Sequence, residues 1–116
     1  MKTNNYYIKI IDEINITYNI KSTVLADSII YMFLHKIKEY KNINYEIEIN
    51  ELYKLYKINI ICSKINIFKV SKSKIIKMIN EELIKLENKN ILIIKNENEK
   101  KIYKLNKEIF KNINIK

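Results

Sequence analysis

Residues 71–106 change their hydrophobic period twice in a short stretch, and this limits the folds open to the chain more than any other feature. Ser71-Lys72-Ser73-Lys74 opens a helix, and Ile75, Ile76, Ile79, Leu83 and Leu86 then recur at helical spacing on one face. Glu87-Asn88-Lys89-Asn90 stops that pattern. Ile91-Leu92-Ile93-Ile94 is a short apolar, β-branched run, and Lys101-Ile102-Tyr103-Lys104-Leu105 alternates polar and apolar. The segment between them, Lys95-Asn96-Glu97-Asn98-Glu99-Lys100, is too polar to bury. The pattern predicts a basic-ended helix followed by a β-hairpin.

The charge is concentrated on the same stretch. Over 116 residues the net charge is +9, with 22 lysines and no arginine. Residues 1–70 hold 10 lysines against 7 acids, whereas residues 71–116 hold 12 against 6, so the basic excess follows the helix and hairpin. The pI near 9.5 suits a nucleic acid, an anionic membrane surface or an acidic partner. The length predicts one domain with a real core, of modest stability or assisted by self-association.

The composition has a second cause. Ile, Lys and Asn supply 67 of the 116 residues, Gly, Pro, Trp, Gln and Arg are absent, and Ala26 is the lone alanine. Residues with AT-rich codons dominate, which points to an AT-rich genome and warns against reading every lysine as a contact. One cysteine, Cys62, excludes an internal disulfide, and with one histidine it leaves no ordinary zinc set. Without glycine there is no phosphate-cradling loop. The acidic pairs Asp12-Glu13 and Glu46/Glu48 lack the further carboxylates of a nuclease metal site. His35 falls on a polar helix side without a nucleophile partner. These points argue against an enzyme and against a cofactor. No apolar run is long enough to span a membrane, and residues 1–7 lack a secretion signal, so the expected location is cytoplasmic.

Elsewhere, Ile14–Ile20 alternates strictly, which predicts a strand, with Tyr7–Ile10 as its hairpin partner across Asp12-Glu13; a single helix is the competing reading. Residues 23–41 form the strongest helix, capped by Ser22 or Thr23, with Leu25, Ile29, Met32, Phe33, Ile37 and Tyr40 on its apolar face and Ile30 and Leu34 widening it. Tyr45–Ile49 reads as a short strand, and Asn50 as the cap of a short helix over residues 51–57. Residues 58–70 either extend that helix or form strands through Ile65-Asn66-Ile67-Phe68. Residues 108–116 form a short helix or a tail. The organisation expected is an N-terminal strand or hairpin extension over 1–22, a main domain over 23–107 and the terminal segment.

Over residues 23–106 this order resembles the winged helix-turn-helix superfamily. The resemblance rests on Ile49-Asn50-Glu51-Leu52 at the entry to its second helix and Val70-Ser71-Lys72-Ser73-Lys74-Ile75 at the entry to its third. Glu82-Leu83-Ile84-Lys85-Leu86-Glu87-Asn88-Lys89-Asn90-Ile91-Leu92 forms the exit into the wing. Where the family often ends that helix with glycine, Asn88 or Asn90 must serve here, since asparagine accepts the left-handed conformation. The stretch between Lys57 and Ser71 is longer than the family's usual turn, a departure shared with plasmid replication initiators.

The resemblance implies an α+β fold, a winged helix-turn-helix with an N-terminal β extension, and duplex DNA as the partner. With the apolar stripe inward, Lys74, Lys77 and Glu81 point outward, with Ser73 to one side. Lys72, Ser73, Lys74 and Lys77 are the candidates for phosphate and base contacts, with Asn80 on the flank. Lys95, Lys100, Lys101 and Lys104 are the candidates on the wing. Because arginine is absent, phosphate contact is expected to supply most of the affinity. The nine tyrosines are expected at core rims and dimer contacts rather than in a stacking platform. The function expected is that of a small transcriptional regulator, a possible homodimer; a replication protein of a plasmid or virus, and a winged-helix module that binds protein, are the alternatives.

Overall fold

The computed structural model describes residues 5–62 and 71–112. These residues form α1 (Asn5–Thr17), α2 (Val24–Tyr40), β1 (Glu46–Glu48), α3 (Ile49–Cys62), α4 (Lys72–Asn88), β2 (Leu92–Glu97), β3 (Lys100–Leu105) and α5 (Ile109–Asn112). Among the described residues, the fold is α+β, with five helices and one three-stranded antiparallel sheet ordered β1-β3-β2. No helix among them is long and apolar enough to cross a membrane. The order α2-β1-α3-α4-β2-β3, with β3 central, is compatible with a winged-helix arrangement.

The N-terminal strand or hairpin expected over 1–22 is not formed: residues 5–17 are helical. The reason lies in a competing period. Tyr7, Ile10, Ile11 and Ile14 are spaced as one helical stripe, and all four are buried in the common core. The alternation from Ile14 to Ile20 is incidental, since Ile16 is 74% exposed. A polar clasp fixes α1 to the start of α2. The Asn15 amide donates to Asp27 Oδ1 at 3.0 Å, and the Ser22 hydroxyl to Asp27 Oδ2 at 2.6 Å.

Side chains that accept amide hydrogens set the helix starts. Thr23 Oγ1 accepts from the Ala26 amide at 3.1 Å, so Thr23 and not Ser22 caps α2. Asp27 lies in the first turn of α2, where a negative charge suits the helix dipole. Helix ends are closed without glycine. Asn19, Lys41 and Asn90 take positive φ of 54°, 51° and 63° after α1, α2 and α4. At the end of α4 the Ile91 amide donates to the Leu86 carbonyl at 3.0 Å and the Asn90 amide to the Glu87 carbonyl at 2.9 Å. That pairing is the Schellman closure, with Asn90, one of the two expected asparagines, in the left-handed position.

Two boundaries differ from expectation. The second helix of the resemblance is not capped by Asn50: α3 begins at Ile49, directly from β1, and continues through residues 58–62 to Cys62. The alternative strand through Ile65–Phe68 lies outside the described residues. The polar segment 95–100 is mostly strand rather than loop. β2 and β3 pair from Leu92↔Leu105 to Glu97↔Lys100, leaving Asn98 and Glu99 alone in the turn. Both have positive φ, 50° and 64°, as a two-residue type I′ hairpin requires.

The core lies between the inner sheet face and the helices. Ile47, Leu92, Tyr103 and Leu105 project inward from the sheet, meeting Ile29, Ile30 and Phe33 of α2, Leu52 of α3, and Ile75, Ile79, Leu83 and Leu86 of α4. Asn106 seals the junction between helix and hairpin, its amide group donating to the Asn90 carbonyl at 2.9 Å and its backbone amide to the Ile91 carbonyl at 2.8 Å. α5 is held to the end of α1 by Asn112, which donates to the Tyr18 hydroxyl at 2.9 Å.

Candidate nucleic-acid interface

The outward face of α4 follows from its inward one. Ile75, Ile79, Leu83 and Leu86 are buried, so the backbone turn of 100° per residue leaves Ser73, Lys74, Lys77, Met78 and Glu81 in solvent. Ser71 starts the helix, its Oγ accepting from the Lys74 amide at 3.3 Å. The first turn contains no acid. Ser71, Ser73, Lys74, Lys77, Met78 and Glu81 line one shallow hollow along this face. Three of the expected contact residues, Ser73, Lys74 and Lys77, are therefore brought together at the N-terminal half of α4.

Two further candidates stand apart. Lys72 is exposed, but its ammonium lies 5.2 Å from the ring centroid of Tyr53 on α3, a cation–π arrangement that restrains it. Asn80 is half-buried on the flank and does not line the hollow. Among the described residues, no acid forms an ion pair with Lys72, Lys74 or Lys77.

The hairpin lysines have different surroundings. Strand alternation puts Lys95, Lys100 and Lys104 on the outer sheet face, and Lys101 on the inner-face side beyond the core, opposite Asn96. β1 brings Glu46 and Glu48 to that outer face, opposite Lys104 and Ile102. Lys95 Nζ lies 3.7 Å from Glu46 and 3.0 Å from Glu97. Lys100 Nζ lies 3.6 Å from Glu48. The Lys95 ammonium is held above its usual pKa by its hydrogen bond to Glu97 and the nearby charge of Glu46. Lys101 and Lys104 form no ion pair among the described residues. None of the four hairpin lysines lines the α4 hollow.

Sequence reasoning overlooked Met78 and the pairing of the two β1 glutamates with the hairpin lysines. Met78 is 41% exposed between Lys74 and Glu81, an apolar group in a charged face. Its position was readable from the same helical phase that singled out Lys74 and Lys77. The pairing of Glu46 and Glu48 with the hairpin was not, because it depends on which strand lies next to which. Among the described residues, no group of three or more acidic, histidine or cysteine side chains is placed to hold a metal ion. His35 is exposed, stacked on Tyr31 at 6.1 Å and 3.2 Å from Glu39. Cys62 ends α3, and its side chain lies outside the described residues.

The chain matches no family model, no curated protein and no solved structure.

Proposed function

We propose that this chain is a small winged-helix protein that binds duplex DNA, with α4 as the helix presented to the major groove and the β2–β3 hairpin as the wing. The observation that carries the reading is the pair Lys74 and Lys77. Both are exposed on the N-terminal half of α4 beside Ser73, with no acidic partner among the described residues. A helix start rich in free cations attracts phosphate twice over, through the lysines and through the unpaired amides of the first turn. The element order and the central β3 support the same reading, since they set α4 and the hairpin next to each other in the chain. Transcriptional regulation, by a protein that acts as a homodimer, is the role proposed for that binding.

A salt titration of duplex DNA binding tests this. With roughly 4 to 6 phosphates neutralised, log affinity falls against log salt with a slope of about −4 to −5. Absence of any duplex shift at low salt overturns DNA binding and leaves the α4 face to a protein partner. Binding confined to directly repeated sites of an origin moves the role from transcription to replication.

A further inference from the structure

The open apolar cleft between α1, α2 and α5 takes no part in the proposed DNA face. Tyr7 and Ile10 of α1, Leu34 and Ile37 of α2, and Phe110 of α5 form its walls, and it holds about 420 Å³. That volume falls within the span of small-molecule sites. Tyr7, Ile10 and Leu34 are themselves core residues, so packing holds the walls in shape. The Asn112–Tyr18 hydrogen bond ties α5 to α1 and keeps the third wall in place.

One cation stands at the edge of this apolar space. Lys38 is exposed, and its ammonium lies 5.6 Å from the Tyr7 ring centroid and 6.0 Å from that of Tyr6. Among the described residues, no carboxylate forms an ion pair with Lys38; its neighbour Glu39 faces His35 Nε2 at 3.2 Å. Burial, with the phenols of Tyr31 and Tyr6 adding to it, raises the Tyr7 pKa, so at neutral pH that wall adds no negative charge. An apolar pocket with one oriented cation at its mouth selects a molecule with an apolar body and one anionic end. A cationic amphiphile meets repulsion there, and a neutral one leaves Lys38 without a new partner.

We propose that this cleft binds a small amphipathic monocarboxylate, its apolar part against Ile10, Leu34, Ile37 and Phe110 and its carboxylate on Lys38. The site is independent of the DNA-binding reading, and its test uses no DNA.

The experiment is calorimetric titration of the 116-residue chain with decanoate, below its micelle threshold, beside decanol and decyltrimethylammonium. The expected result is saturable binding of decanoate, with decanol weaker by about two- to fivefold, the factor an exposed ion pair supplies. Lys38→Gln removes that difference and leaves the melting temperature unchanged, because the side chain is exposed. Ile37→Trp fills the cleft and abolishes binding of both molecules; should it fail to fold, Ile37→Phe serves with the same expectation. No saturable decanoate binding, equal affinity for decanol, or an unchanged Lys38→Gln variant overturns the proposal. A dimer that Ile37→Trp dissociates, with no decanoate bound, also overturns it and gives the groove to a second copy.

Discussion

The outer face of α4 and the outer face of the β2–β3 hairpin carry lysines at similar density, yet the two surfaces differ electrostatically. On α4, Lys74 and Lys77 face solvent with no acid paired to them among the described residues. On the hairpin, Lys95 and Lys100 are shared with Glu46, Glu48 and Glu97. Segment charge, +6 over residues 71–116, assigns both faces the same role. Geometry does not, because two of the three acids that compensate the hairpin lysines come from β1, more than 40 residues earlier in the chain. A lysine count along a sequence therefore overstates the field of any strand that pairs with an acidic neighbour.

The largest effect expected concerns the frame that holds the α4 face outward. Leu83 is fully buried, and Leu83→Ala should cost about 2–5 kcal/mol by thermal or denaturant unfolding, the range for emptying a core site. Ile93→Ala, on the outer sheet face where the side chain is 40% exposed, should cost well under half of that loss. Equal losses would mean that the helical phase behind the choice of Lys74 and Lys77 is wrong.

The second test compares the two faces on DNA. Lys74→Ala with Lys77→Ala should weaken a selected site more than random duplex, by about 1–3 kcal/mol for a lost base contact. Lys100→Ala with Lys101→Ala should weaken both duplexes about equally, flatten the salt slope, and lose less in total, because Glu48 already holds Lys100. Binding curves at several salt concentrations separate the cases. Loss of affinity without loss of discrimination in the α4 variant would reduce that face to a phosphate clamp.

The turn between the hairpin strands offers a smaller effect. Glu99 sits at φ 64°, where a side chain crowds its own backbone. Glu99→Gly converts the turn to Asn-Gly, the favoured type I′ pair, and should stabilise the domain by about 1 kcal/mol in the same unfolding assay. No gain would indicate that the hairpin tip frays before the domain unfolds.

The smallest change sharpens the comparison most directly. Glu46→Gln with Glu48→Gln frees Lys100 and leaves Lys95 with Glu97 alone, and should raise affinity for random duplex a few-fold while steepening its salt dependence. Stability should hardly move, as exposed ion pairs contribute little. An unchanged salt slope would show that the hairpin does not lie near phosphate.

What was legible in the sequence was whatever depended on neighbours within a few positions. The Ile75-Ile79-Leu83-Leu86 stripe, the α2 helix with a cap at Ser22 or Thr23, a short strand within Tyr45–Ile49 and a left-handed asparagine at 88 or 90 were all readable, because helical phase, capping and turn chemistry are local, and the structure selected Thr23 and Asn90. Segment 5–17 marks the limit. It holds two periods at once, and only burial of Tyr7, Ile10, Ile11 and Ile14 in the shared core selected the helix. The same limit governs the site. Sequence alone determined which lysines of α4 face outward, since that follows from the inward stripe. Tertiary structure alone decided which lysines keep their charge free, and that α1, α2 and α5 line an open cleft beside Lys38. Ion pairing and cleft formation depend on distances between groups far apart in the chain, and those distances are set only when the strands register and the helices pack.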